Sequence, residues 1–537
     1  MTEQASGGTL IARSLGTLGV SHLFTLTGGH IFPILDGCRR ACIGIIDVRH
    51  EQTAGYAAEG WARLTRSLGV AAVTAGPGVT NVLSAMAQAR FNNAPILVLA
   101  GRAPAFRWGQ GSLQEIDHIP FVDPVAPAET VYATSRLPEA VIDAAVSALS
   151  APRGPRFVDV PLDTLFNRVH EALPTPPEPR MASPDPSEVE KAAAALSSAQ
   201  RPVIVAGSNV WLDGAEEALR RLAEDHRIPV FMNGQGRGCL SSDHALAFAR
   251  ARSRALREAD TVIVAGTPLD FRLGFGQGFA SGCRVVHIDS GGAASHVELH
   301  AGMACSTRPA LEAIHDALER SPATTAWLAA LRSEEDRRRE EEAADLTSSQ
   351  KPIHPLRIYG ELIPLLERDA VVIGDGGDFV SFAGRVMPSY TAGSWLDPGP
   401  FGCLGAGPGY AIAARLVHPE RQVLLLCGDG ALGFSMGDLE TLVRLGLPVV
   451  VVVGNNGIWA LEKHPMRALY GCDVAADLLP GTRYDLVMQG LGGRGEHVTD
   501  PDEIAPALKR ALASREPALV NIETDPDVAY PRSANLA

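Results

Sequence analysis

Apolar residues fall along this chain in short, unbroken runs that close on glycine, asparagine or aspartate. "GVAAVTAGPG" and "APILVLAGR" frame the helical pattern "VTNVLSAMAQAR", and "RPVIVAG", "IPVFMNG", "ADTVIVAG" and "RVVHIDS" continue the alternation. "DAVVIGDGG", "RQVLLLCGDG", "PVVVVVGNNG" and "PALVNIETD" carry it to the end. Runs without polar alternation mark strands buried on both faces, and the helical stretches between them supply the crossovers that parallel strands require. The pattern predicts an α/β fold class built from three open, mainly parallel-sheet domains.

Two polar segments divide the blocks. "HEALPTPPEPRMASPDPSEVE" is proline-rich and reads as a linker, and "RSEEDRRREEEAADLTSSQKP" reads as a solvated helix and connector. Domains are expected over residues 1–168, 188–325 and 353–537. No short-period repeat is present, so three related sheets are expected rather than a solenoid.

Length agrees, since 537 residues exceed what one core supports. A formal charge of −14 argues against nucleic acid or an anionic membrane as partner. No apolar run approaches the roughly 18 residues of a membrane span, and the first residues lack the basic start and apolar stretch of a signal peptide. A cytoplasmic location is expected. The 8 cysteines show no CxxC spacing, and Cys38, Cys42, Cys403 and Cys427, in or beside apolar runs, read as small core residues.

Candidate chemistry concentrates in "CGDGALGFSMGDLETLVRLGLPVVVVVGNNGIW". Two strands separated by one crossover helix deliver Gly428-Asp429-Gly430 and Asn455-Asn456-Gly457 to the same sheet edge. Either turn alone is ordinary loop chemistry. Together they offer a carboxylate, an amide oxygen and glycines that let backbone approach a phosphate, which suits a Mg-diphosphate. The pair resembles the diphosphate-binding half of the thiamine-diphosphate (ThDP) decarboxylase and acetolactate-synthase superfamily, and the order of the three blocks resembles its pyrimidine-binding, central and diphosphate-binding domains.

That resemblance implies ThDP and Mg²⁺ as cofactors. Asp429, Asn456 and the Ile458 carbonyl are implied as metal ligands, with Gly428, Gly430 and Ala431 beside the diphosphate. In "RHEQ", Glu51 is implied to activate the aminopyrimidine ring, although a carboxylate at a helix start also complements the helix dipole. "PGPFGCLGAGPGY" resembles the segment that keeps the cofactor bent, with Leu404 between its rings and the Gly402 carbonyl accepting from its 4′-amino group. "TAGPGVTN" is implied to face the cofactor. Gln114, beside Glu115 and His118, is implied near substrate; His30, in "TLTGGHIFPILDG", is a second candidate. Trp459 reads equally as substrate contact or packing. The superfamily's shared sites imply a homodimer or homotetramer.

"ARSRALREADTVIVAGTPLDFRLGFG" resembles a segment of 2-hydroxyacyl-CoA lyases and oxalyl-CoA decarboxylases. Arg252 and Arg254 there suit phosphates of an ADP-like group, and Asp289 suits a ribose hydroxyl, so ADP or FAD is expected in the central domain. The expected reaction is cleavage of a 2-hydroxyacyl-CoA to formyl-CoA and an aldehyde or ketone. The alternative is acetolactate-synthase-like carboligation of a 2-oxo acid, pyruvate. Against it, "NNGIWALEKHPM" replaces the usual Met-Val-x-Gln-Trp, and "FVDPVAPAE" lacks the usual lysine. A third reading, a silent regulatory subunit, is opposed by Glu51, Asp429 and Asn456 occurring together. Tyr530 and Arg532 are a candidate lid over the site.

Overall fold

The computed structural model describes residues 4–531. It contains three six-stranded sheets, parallel throughout. The first is ordered Gly44–Asp47, His22–Thr25, Gly69–Val73, Ile96–Arg102, Arg156–Pro161, Ala128–Thr130. The third is ordered Trp395–Leu396, Val371–Asp375, Val423–Gly428, Val450–Asn455, Ala518–Glu523, Arg494–Val498. Numbered along the chain within each sheet, both run 2-1-3-4-6-5. The middle sheet differs: Ala247–Phe248, Val230–Met232, Pro202–Ala206, Thr261–Ala265, Arg284–Ile288 and Ala301–Met303 run 3-2-1-4-5-6, the order of dinucleotide-binding folds.

The apolar runs become strands for the expected reason. Every residue of Gly69–Val73, Ile96–Arg102 and Thr261–Ala265 is buried, so both faces carry helices. The chain folds as two compact units. One takes the chain to Arg180 with Pro398–Pro419 and Phe434–Leu447, and holds the first sheet; the other takes Met181–Asp397, Glu420–Gly433 and the chain from Pro448, and holds the middle and third sheets.

Residues 170–185 carry neither helix nor strand, as their prolines dictate. The charge-dense segment forms helix Thr325–Leu346, but it is not simply a solvated face. Glu335 is buried and accepts the Ala249 and Ala251 N–H groups at 3.2 and 2.9 Å. Glu342, also buried, takes Arg250 Nε and Arg385 Nε, each at 2.6 Å. Cys38 and Cys427 are buried as expected, whereas Cys42 is exposed, because the turn after helix Phe32–Arg40 holds it at φ +58° and points it outward. No helix among the described residues is long and apolar enough to cross a membrane.

Candidate active site

Strands Val423–Gly428 and Val450–Asn455 lie side by side, with Gly428 opposite Gly454, so the two glycine turns leave one edge together. They are then tied to each other. Asp429 accepts the Gly430 N–H through Oδ1 at 3.0 Å and the Gly457 N–H through Oδ2 at 2.9 Å. Gly457, at φ +67°, turns the backbone so that this N–H faces the carboxylate. Asn456 accepts the Ile458 N–H at 3.2 Å and donates to Asp378 Oδ2 at 3.2 Å. Across Gly430 lies the Trp459 ring, 2.5 Å from where a Cβ would stand, whereas a Cβ at Gly428 would meet open space.

Asp429 is buried, and burial pushes its carboxyl up to about 6, helped by the like charge of Asp378. Burial likewise raises Asp378 to about 6. Backbone N–H groups oppose these shifts, and no cationic side chain is among the groups acting on Asp429. A buried carboxylate beside an amide oxygen, with a second carboxylate acting on it as a like charge, suits a hard divalent cation. Among the described residues no three His, Cys, Asp or Glu side chains gather as a metal cluster, so backbone and amide oxygens would have to complete such a site.

The other unit carries Glu51, first residue of helix Glu51–Thr65 and 6% exposed. Asn81 Nδ2 donates to its Oε2 at 3.0 Å, and Oε1 has no hydrogen bond among the described residues. Buried Asp438 fixes the start of that helix, accepting the Arg49 N–H at 2.8 Å and the Thr53 hydroxyl at 2.6 Å. Thr74 joins two of the expected candidates: its hydroxyl lies 3.2 Å from His30 Nδ1 and 3.4 Å from Gln114 Oε1. Burial lowers the His30 pKa, so its imidazole is neutral at neutral pH. His118 is committed elsewhere, accepting the Gly76 N–H at 3.0 Å and bonding Asp159 at 2.9 Å. Glu115 caps its own loop through the Gly109 and Ser112 N–H groups.

Three family profiles match: "Thiamine pyrophosphate enzyme, N-terminal TPP binding domain" over residues 5–121, the same enzyme's "central domain" over 189–314, and its "C-terminal TPP binding domain" over 375–522. This chain belongs to the thiamine pyrophosphate enzyme family. Among curated relatives, a "Probable acetolactate synthase" from Mycobacterium bovis is 53% identical over 536 residues, 99% of this chain and 98% of its own. An "Acetolactate synthase large subunit" from Mycobacterium tuberculosis matches equally, at 53% over the same shares. A "2-hydroxyacyl-CoA lyase 2" from Caenorhabditis elegans is 34% identical over 579 residues, 96% of this chain and 89% of its own.

In this thiamine pyrophosphate enzyme the middle sheet reverses strand order between Pro202–Ala206 and Thr261–Ala265, and Asp289 follows the carboxyl end of Arg284–Ile288. Asp289 Oδ1 takes the Gly291 N–H at 2.8 Å, while Oδ2 is buried without a hydrogen-bond partner among the described residues, and burial raises its pKa. The two arginines diverge. Arg254 is engaged by Glu258 at 3.0 Å and the Ala330 carbonyl at 3.3 Å, whereas Arg252 has no side-chain hydrogen bond or ion pair among the described residues. Tyr530 acts electrostatically on Arg252 and packs edge-on against Phe382, with ring centroids 5.1 Å apart. Arg532, its expected companion, lies outside the described residues.

Asn81, Thr74, Asp378 and Asp438 are the contributions that sequence reading missed. "TAGPGVTN" and "GDGGDF" were signals for the first three, as polar residues inside or beside glycine turns that end buried strands. Asp438, in a helical stretch, carried no local signal.

Proposed function

We propose that this enzyme is a ThDP- and Mg²⁺-dependent carboligase acting on a 2-oxo acid, with pyruvate condensed to acetolactate as the leading reaction. The observation that carries this reading is the 53% identity to acetolactate synthases over nearly the full length of both chains. It reverses the order expected from sequence, which favoured the acyl-CoA substrate on the Arg252 and Arg254 pair. Arg254 is engaged within its own helix, leaving half of that clamp.

Asp429, Asn456 and the Ile458 carbonyl would hold Mg²⁺, and Gly428, Gly430 and Ala431 would border the diphosphate. The open space at a Gly428 Cβ fits a group seated there. Bound ThDP would supply a nucleophilic carbon and a sink for the electrons of the broken C–C bond. The chain's residues orient it and move protons. Glu51 would meet the aminopyrimidine ring through Oε1, the oxygen that Asn81 leaves open. Leu404 would stand between the cofactor's rings, and the Gly402 carbonyl would accept from its amino group. Neutral His30 and Gln114, joined through Thr74, line the substrate side.

A second reading, the 2-hydroxyacyl-CoA lyase reaction, is favoured by the unpaired Arg252. The reversal of strand order and the orphaned Asp289 Oδ2 support ADP or FAD in the central domain. The assembly is a homodimer or homotetramer in the cytoplasm. The test is a paired assay of the purified protein with ThDP and Mg²⁺, offering pyruvate or a short 2-hydroxyacyl-CoA and following acetolactate and formyl-CoA by mass. Acetolactate supports the leading reading; formyl-CoA alone replaces it with the second. Neither product, from protein that binds ThDP, points to the silent subunit.

A further inference from the structure

Helix Glu51–Thr65 buries a second carboxylate, Glu59, that the proposed chemistry does not use. It is fully enclosed, as are Gln88 and Tyr410, and Arg63 and Asn92 are nearly so. Glu59 Oε1 accepts Asn92 Nδ2 at 2.7 Å and Arg63 Nη1 at 3.4 Å, and Oε2 accepts Gln88 Nε2 at 3.1 Å. The Tyr410 hydroxyl accepts Gln88 Nε2 at 2.8 Å and Arg63 Nη1 at 3.0 Å. Burial pushes the Glu59 pKa up, with Arg63 pulling it back. Such a cluster is a poor stability device, because apolar side chains of the same volume hold a core as well or better. A use in fixing geometry fits it better.

The two amides carry that geometry outward. Asn92 Nδ2 also donates to the Pro398 carbonyl at 3.1 Å, and the next residue, Gly399 at φ +70°, comes so close that a Cβ there would stand 1.9 Å from Asn92 Oδ1. Gln88 Oε1 accepts the Cys403 N–H at 3.1 Å. Gln88 has no freedom to turn: its Nε2 faces two acceptors, Glu59 and Tyr410, which leaves Oε1 for the loop. The Cys403 N–H and the Gly402 carbonyl belong to one planar peptide, and that peptide is trans, so fixing one aims the other in the opposite direction.

We propose that Glu59, through Gln88 and Asn92, forms a positioning assembly that aims the Gly402 carbonyl and seats Leu404. The inference rests on the reading that these two groups hold the cofactor bent. Glu59 itself touches neither cofactor nor substrate. Its role is to keep the Gln88 amide turned so that an acceptor, not a donor, meets the Cys403 N–H. Glu59→Gln places a donor among Asn92, Gln88 and Arg63, and Gln88 relieves the clash by flipping, which presents its NH₂ to the Cys403 N–H and releases the loop.

The test measures the loop first and the cofactor second, using the intact protein. Hydrogen exchange of the metal- and ThDP-free protein reads protection across residues 398–404; Gln88→Met and Glu59→Gln are each expected to lose it there, with helix Pro77–Phe91 still protected. ThDP titration with Mg²⁺ is then paired with deuterium exchange at the reactive carbon of bound ThDP, which needs no substrate. Gln88→Met is expected to bind ThDP within about threefold of the parent and to exchange that carbon about 10- to 100-fold more slowly, the scale of a misplaced reacting group. Glu59→Gln with Gln88→Met should be no slower than Gln88→Met alone.

Leu404→Ala separates the two ideas. Slow exchange in Leu404→Ala with parental exchange in Gln88→Met overturns the positioning assembly and keeps the loop's role. Parental exchange in Leu404→Ala overturns the loop reading itself. Should Gln88→Met fail to fold, Glu59→Gln carries the test alone, and retained loop protection in that variant overturns the proposal.

Discussion

The first and third sheets share one strand order, 2-1-3-4-6-5, yet present different chemistry on their carboxyl edges. The first puts a carboxylate, Glu51, at the start of the helix after its second strand, answered by an amide, Asn81, after its third. The third puts a carboxylate, Asp429, after its third strand and an amide, Asn456, after its fourth, with a further carboxylate, Asp378, after its first. The same topology thus supplies the same positions for loops, and what each edge does depends on the few side chains those loops carry. On one edge Glu51 keeps an oxygen without a hydrogen bond among the described residues. The other gathers oxygen donors whose charge calls for a cation.

Glu51→Gln is expected to lower turnover by about 10²- to 10³-fold while ThDP affinity stays within a few-fold, measured by steady-state kinetics and cofactor titration. Unchanged turnover would remove the first edge from the chemistry. Asp429→Ala should weaken Mg²⁺ by on the order of 100-fold in calorimetry, and chelation of the parent enzyme should abolish turnover reversibly. Mg²⁺ bound as in the parent would assign the cation elsewhere.

Glycines on the third edge give a finer test. Gly428→Ala should leave unfolding free energy within about 0.5 kcal/mol of the parent yet reduce ThDP affinity about tenfold, since its Cβ meets only open space in the protein alone. Gly430→Ala should instead cost about 1–3 kcal/mol in denaturant unfolding, because its Cβ collides with the Trp459 ring. Equal effects of the two would erase the distinction between a ligand-facing and a packing glycine.

The middle sheet provides the smallest effect. His287 donates from Nε2 to the Thr267 carbonyl and accepts the Ala294 N–H at Nδ1, and burial lowers its pKa from 6.5. Below that unfolded-state value the unfolded chain binds a proton that the folded ring refuses. Stability is therefore lost as pH falls through and below 6.5, by less than about 1.4 kcal/mol per pH unit. His287→Gln should flatten this slope in pH-dependent unfolding without altering Mg²⁺ binding at neutral pH.

Much of the fold was legible because parallel strands buried on both faces write themselves as unbroken apolar runs. The pair of turns at Asp429 and Asn456 was legible for a related reason: one helix and one strand separate them, and a right-handed crossover leaves little choice about where both emerge. The charge-dense helix Thr325–Leu346 was read as a solvated face, and there local pattern misled. Glu335 and Glu342 look like their neighbours in sequence and differ only in lying against Ala249, Ala251, Arg250 and Arg385.

By itself the sequence determined the α/β class, the strands, the proline-rich linker and the two turns that carry Asp429 and Asn456, since each depends on residues within one supersecondary unit. The tertiary structure alone decided that the middle sheet is wound differently from the other two. It alone joined Asn81 to Glu51, Asp378 to Asn456 and Thr74 to His30 and Gln114, and enclosed Glu59 with Gln88, Asn92 and Tyr410. The physical reason is range: propensity and periodicity act over a few residues, whereas a buried polar group must find its partner wherever packing brings one, however distant in the chain.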